Sequence, residues 1–143
     1  MIRVLIFEDN TDFIESMTEL IADAEGMEVT AVYNNCKNAA KNVDFHKPDV
    51  VLMDIDMPIE NGLQGLRNIR NAGNDVTIIM LTVFDDNERV FQAVCNGASG
   101  YILKSTPPEK IIEAIREAQT GGAPMTGFRG HAGFTATGRG LQL

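Results

Sequence analysis

The sequence predicts an α/β domain: a doubly wound parallel sheet with helices on both faces. Three observations carry this. Short apolar segments alternate with helix-period segments in the order βαβαβαβαβα. Three of the apolar segments, IRVLIF, VVLM and VTIIML, run almost without polar interruption, as strands covered on both faces do. A chain of 143 residues, 44% of them apolar, is long enough for one ordinary domain and too short for two comfortable ones.

Taken in order, residues 2–7 form the first strand. Residues 11–25 place Ile14, Met17, Ile21 and Ala24 on one helical stripe, and Gly26 follows as a stop signal. Residues 28–33 are more polar and fit an edge strand. A helix is expected over 37–46, a strand over 49–53 and a helix over 63–72. The next strand covers 76–81 and the next helix 87–96. A turn, GASG at 97–100, leads into the strand at 99–103. Pro108 opens the last helix (108–120) and Gly121 lies just past its end, the usual asymmetry of helix termini. Ile111, Ile112 and Ile115 of that helix are needed for the core. The stretch 121–143 has no apolar period, and 5 of the chain's 13 glycines fall in its last 18 residues. The expected organisation is one domain over 1–122 and a disordered linker or non-native tail over 123–143.

Composition excludes several functions. The formal net charge is −8, and all 20 acidic residues lie in the first 117 positions. Residues 1–125 carry a net −10, and 126–143 carry +2 from Arg129 and Arg139. So acidic a body is a poor direct ligand for nucleic acid, which needs clustered lysine or arginine. No apolar run approaches the roughly 18 residues of a membrane span, so no membrane role is expected. Glu8 and Asp9 interrupt the N-terminus before any segment reaches signal-peptide length, which gives a cytoplasmic expectation. Cys36 and Cys95 then read as reduced thiols, not a bridge. His46 and His131 lack zinc spacing, and no phosphate-cradling or dinucleotide glycine motif is present.

In a parallel sheet the carboxyl ends of the strands meet at one edge, where ligands bind. Glu8 and Asp9 follow the first strand, Asp54 ends the third, Thr82 follows the fourth and Lys104 follows the fifth. Three carboxylates, a hydroxyl and an ammonium thus converge from about 100 residues of chain. Singly, each has a plain explanation: acids favour helix N-termini, polar residues end strands, and lysines are solvated. Together they describe a phosphoryl site. Clustered carboxylates need a cation, and a small all-oxygen set suits Mg²⁺. The lysine and threonine contact phosphoryl oxygens. Asp54, at the end of a buried strand, is the candidate nucleophile for an aspartyl phosphate.

These motifs resemble the response-regulator receiver domain of two-component signalling. The resemblance runs from Ile2 to about Gly122 through Glu8-Asp9, LMDIDMP around Asp54 with Gly62, LTVF with Thr82, and GASGYILKS with Tyr101 and Lys104. It is most similar to receivers that precede a LuxR-type helix-turn-helix domain. The resemblance implies a flavodoxin-like sheet of order 2-1-3-4-5 and phosphorylation of Asp54 by a sensor histidine kinase. It implies Mg²⁺ held by Asp9, Asp54 and the backbone carbonyl of Asp56, with Glu8 assisting. Lys104 would contact the phosphoryl group, Thr82 and Tyr101 would switch, and Asp56 and Phe84 would tune phosphoryl lifetime. Glu8 and Ser105 are departures, standing where aspartate and proline are common. DNA would be reached only through a C-terminal domain absent from this chain. A homodimer through the fourth or fifth helix, or the first and fifth, is a family-level expectation. Phosphorylation would be self-catalysed, and the protein a stoichiometric switch instead of a turnover enzyme.

Two other readings remain open at this point. Asp54-Ile55-Asp56 superficially matches the Asp-x-Asp of haloacid dehalogenase-like Mg²⁺-dependent phosphatases, with Asp56 as general acid/base. Alternatively, the domain is an interaction module that has lost its switch.

Overall fold

The computed structural model describes residues 1–83, 87–122, 135–137 and 140–142. The chain alternates β1 (Ile2–Phe7), α1 (Thr11–Asp23), β2 (Met27–Tyr33), α2 (Ala39–His46), β3 (Val50–Asp54), α3 (Gly62–Asn71), β4 (Thr77–Thr82), α4 (Asn87–Cys95), β5 (Gly100–Leu103) and α5 (Pro108–Gln119). The sheet order is β2-β1-β3-β4-β5 with every pairing parallel. The chain leaves β1 for β2 on one side and returns to β3 on the other, so the carboxyl ends of β1 and β3 flank the switch point where a ligand crevice forms.

The uninterrupted apolar strands follow from this layering. Residues alternate between faces, and both faces are covered. Val4, Ile6, Leu52, Ile79 and Leu81 turn to one face, under Met17 and Ile21 of α1 and Ile111 and Ile115 of α5. Leu5, Phe7, Met53, Ile78 and Met80 turn to the other, under α2, α3 and α4 through Val43, Leu66, Ile69, Val90 and Val94. Ile112 packs at the margin of the first face. Each such burial contributes about 1.5–3 kcal/mol relative to exposure.

Side chains cap two of the helices that begin at the functional edge. Asn10 caps α1, its Oδ1 accepting from the Phe13 N–H at 3.0 Å. Asn61 caps α3 in the same way, accepting from the Gln64 N–H at 3.0 Å. Each cap satisfies one of the otherwise orphaned amides of a first helical turn.

Gly62 shows why α3 must start with glycine. Its N–H donates to the Ile55 carbonyl at 2.8 Å. A Cβ placed on it would overlap the backbone carbonyl oxygen of Asp54 and reach the Ile55 Cα at 2.9 Å. Gly62→Ala is therefore expected to lower stability by about 2–3 kcal/mol, because backbone on both sides has to give way. Urea unfolding of the variant checks this, and an unchanged midpoint contradicts it.

Most elements differ by one or two residues at an end from the sequence expectation. Asp54 and Thr82 fall inside their strands because the ladder continues beside them: the Ile55 N–H donates to the Leu81 carbonyl at 3.0 Å and the Lys104 N–H to the Thr82 carbonyl at 2.8 Å. In the tail, β6 (Thr135–Thr137) pairs antiparallel with β7 (Gly140–Gln142) in a separate two-stranded ladder that does not extend the main sheet.

Candidate phosphoryl-acceptor site

The carboxyl ends of β1, β3 and β5 bring Glu8, Asp9, Asp54 and Lys104 together. Glu8 is fully buried and Asp54 is 3% exposed, while Asp9 faces solvent. One carboxylate oxygen from each of the three acids lies within 4.8 Å of the others. Lys104 Nζ stands 2.6 Å from Glu8 Oε1 and 3.5 Å from Asp54 Oδ1. The Oε1 contact is a close ion pair without hydrogen-bond alignment. Glu8 Oε2 accepts from the Asp9 N–H at 3.1 Å and the Asn10 N–H at 3.0 Å. Glu8 is thus held at both oxygens by its own chain. The same carboxylate pairs with the lysine and belongs to the acidic cluster.

The electrostatics single out Asp54. Burial pushes its carboxyl from an ordinary 3.8 up to about 7, and the neighbouring Glu8 carboxylate pushes the same way. The Lys104 ammonium and a hydrogen bond from the Asp56 backbone N–H partly offset the rise. Crowded acids of this kind are relieved by a cation. The donor set fits Mg²⁺: oxygen ligands only, few of them, with the exposed Asp9 side open to retained waters.

The remaining candidates take distinct places. Thr82 is buried at the end of β4. Tyr101 is fully buried in β5, paired with Met80 on the α2–α4 side of the sheet, so its ring belongs to the core. The peptide joining Lys104 to Ser105 is trans. Asp56 is exposed, and its carboxylate pairs with Arg89 of α4 at 2.9 Å. Phe84 lies outside the described residues. The loop between β3 and α3 also holds Ile59 in a left-handed conformation (φ 71°) directly after Pro58, a costly backbone for a β-branched residue.

Two contacts had no sequence signal. Lys104 Nζ lies 4.7 Å from the centroid of the Phe13 ring, which adds a cation–π attraction. The Asp56–Arg89 pair joins residues 33 positions apart. No local pattern marks either, since each depends on how a helix is rotated against the sheet.

The model of the response regulator receiver domain matches residues 4–116. The chain belongs to that family. It is similar to the transcriptional regulatory protein LnrK of Bacillus subtilis (strain 168), with 34% identity over 122 residues, covering 85% of this chain and 56% of that protein. It is likewise similar to the oxygen regulatory protein NreC of Staphylococcus haemolyticus, with 35% identity over 120 residues, covering 83% of this chain and 55% of that one. The receiver therefore spans a little over half the length of these relatives. Among solved structures, a LuxR-family two-component response regulator from Aurantimonas sp. SI85-9A1 superposes with a TM-score of 0.83 at 27% identity, covering 87% of this chain and 89% of that chain. The receiver domain of a NarL response regulator from Mycobacterium tuberculosis superposes at 0.80 with 25% identity, covering 84% and 97%. A phosphoacceptor role fits the family, whose members are not classical enzymes. No helix among the described residues of this receiver is long and apolar enough to cross a membrane.

The cysteines differ sharply. Cys36 is buried against α3, where a Cβ on Gly65 would meet its Sγ at 2.8 Å. Burial pushes its thiol up to about 12, and the Glu60 and Asp54 carboxylates add to the rise. Cys95 is exposed. Because the thiolate is the reactive form, native protein is expected to titrate one thiol promptly with a disulfide reagent, and denatured protein two. Two fast thiols in the native state contradict the burial of Cys36.

Proposed function

We propose that this receiver is the phosphoacceptor of a two-component phosphorelay, with Asp54 taking a phosphoryl group from a sensor histidine kinase. The observation that carries the reading is the buried Asp54 carboxylate, with Lys104 at 3.5 Å and two further carboxylates beside it. In transfer, an Asp54 oxygen attacks the phosphorus of the donor, the donor's leaving group departs, and an acyl phosphate remains. Asp9, Asp54 and the Asp56 backbone carbonyl would hold Mg²⁺, with Glu8 assisting. That ion supplies charge to the phosphoryl oxygens and relieves the repulsion among the acids. Lys104, held by Glu8, offers its ammonium to a second phosphoryl oxygen, and the Thr82 hydroxyl donates to a third. Drawing Thr82 toward the phosphoryl group reshapes the packing around Tyr101 and the surface of α4, β5 and α5. Asp56 and Phe84 tune how long the phosphoryl group stays.

Phosphorylation and its loss are self-catalysed on this reading, and the protein acts stoichiometrically in the cytoplasm. Its output runs through a LuxR-type DNA-binding domain in a longer regulator, as the named LuxR-family neighbour supports. A homodimer of the receiver is part of the proposal. The phosphatase reading loses ground to the Asp56–Arg89 pair, which occupies the carboxylate that would serve as general acid/base. Residues 1–122 are the receiver and 123–143 a linker or non-native tail.

The test is incubation with acetyl phosphate and Mg²⁺. About one phosphoryl group per chain should be incorporated, chelation of Mg²⁺ should prevent it, and hydroxylamine should release it as an acyl phosphate. Continuous phosphate release dependent on the Asp56 side chain would favour a phosphatase. No response to either acetyl phosphate or beryllofluoride would favour an interaction module.

A further inference from the structure

Beside the proposed acceptor, a cavity of about 420 Å³ lies between the β3–α3 loop and α4, with Asp56, Asn61 and Leu63 on one side and Glu88, Arg89 and Gln92 on the other. Among the described residues, an ion pair joins the two sides. Arg89 Nη1 donates to Asp56 Oδ1 at 2.9 Å and to Oδ2 at 3.2 Å, so a single nitrogen engages both oxygens. The two side chains are 34% and 46% exposed. A pair that accessible contributes at most about 1 kcal/mol to stability, so the fold does not depend on it. Its position is more informative. The Asp56 backbone N–H donates to the Asp54 carboxylate, while the Asp56 side chain is engaged by α4. One residue therefore touches the acceptor through its backbone and the helix through its carboxylate.

We infer that Arg89 is a positioning residue that lengthens the life of the phosphorylated receiver by holding the Asp56 carboxylate on α4. The inference rests on the proposed acceptor role of Asp54. Loss of the phosphoryl group is a hydrolysis. A water oxygen bonds to phosphorus, the bond from phosphorus to the Asp54 oxygen breaks, and the water's protons pass to phosphate and solvent. The products are inorganic phosphate and the Asp54 carboxylate. A carboxylate two residues from Asp54 orients the attacking water if it is free to accept its hydrogen bond. With both oxygens engaged by Arg89, the Asp56 carboxylate is withheld from that task. Releasing the pair speeds hydrolysis and severs a direct tie between the phosphorylation loop and α4.

The experiment loads the full chain with acetyl phosphate and Mg²⁺, removes the donor, and follows first-order phosphate release. Wild type is compared with Arg89→Ala, Arg89→Lys, Asp56→Asn and the Arg89→Ala/Asp56→Asn double variant. Arg89→Ala should release phosphate about three- to tenfold faster, and Arg89→Lys should restore most of the wild-type lifetime. In the Asp56→Asn background, Arg89→Ala should change the rate by less than about twofold, the non-additivity that marks residues acting as a pair. An unchanged rate in Arg89→Ala overturns the inference, as does an equal acceleration in both backgrounds, which is what a merely structural role produces. Failure of the wild type to take up a phosphoryl group overturns the reading of Asp54 and this inference with it. Normal loading with unaltered release overturns the role of Arg89 alone.

Discussion

Asp54→Asn should melt higher than wild type in metal-free buffer at pH 8, by about 5–10 °C, and should lose that advantage as the pH falls toward 4. The sign follows from linkage. The carboxyl sits near 3.8 in the unfolded chain and is pushed up to about 7 in the folded one. Below 3.8 it is protonated in both states and costs nothing. Between 3.8 and about 7 the unfolded chain ionises freely while the folded protein keeps the proton on a buried acid beside Glu8, so stability falls as the pH rises across that window and the loss is complete above it. An elevation of that size corresponds to about 2–4 kcal/mol, and for a domain of this length each kcal/mol moves the midpoint by a few degrees. Added Mg²⁺ should reverse the order, because it binds the folded wild type and stabilises it by mass action. Equal melting of the two proteins at pH 8, with and without Mg²⁺, contradicts this electrostatic picture.

Lys104→Met should be the most damaging single change at the site. Glu8 is fully buried, and its charge is met by the Lys104 ammonium at 2.6 Å. Removing one partner of a buried pair leaves an uncompensated charge and costs about 3–5 kcal/mol. Removing both charges, in Glu8→Gln/Lys104→Met, should recover at least half of that loss, since no buried ion then remains. Phosphoryl uptake should stay low in the single and the double variant alike, because the ammonium is missing from both. Urea unfolding gives the first quantity and phosphoryl incorporation the second. A double variant no more stable than Lys104→Met means that the lysine serves packing against Phe13 and not charge.

Much of this was legible in the chain because parallel sheets enforce strong correlations. A strand buried on both faces has to be apolar throughout, so IRVLIF, VVLM and VTIIML announce themselves, and the more polar β2 takes the edge. Once strands are parallel, whatever follows each one meets at the same edge. That is why Glu8, Asp9, Asp54 and Lys104 are predictable as neighbours although 96 positions separate the first from the last. Gly62 is marked in the sequence only by its place in the resemblance, and the structure supplies the reason: α3 passes close over the Asp54 carbonyl.

Orientation was not legible. Glu8 is a metal-ligand candidate in the sequence and stands in the acidic cluster, but its contacts with Lys104 and with the backbone of Asp9 and Asn10 carry no sequence signal. Its position under the lysine is not encoded in a spacing. Arg89 was missed because surface arginines on acidic domains are common, and only the rotation of α4 about its axis brings this one to Asp56. Tyr101 was placed in the sequence as a switch residue. It is wholly buried in the core, so any motion of its ring has to be coupled to repacking beneath α4.

Asp54, and no other carboxylate of the crowded edge, is expected to take the phosphoryl group. Intact-mass measurement after incubation with acetyl phosphate and Mg²⁺, on wild type and Asp54→Asn in parallel, tests it most directly. Wild type should gain the mass of one phosphoryl group, and Asp54→Asn should gain none although it folds at least as stably. The same mass gain in Asp54→Asn would contradict the assignment and move the acceptor to another residue of the site.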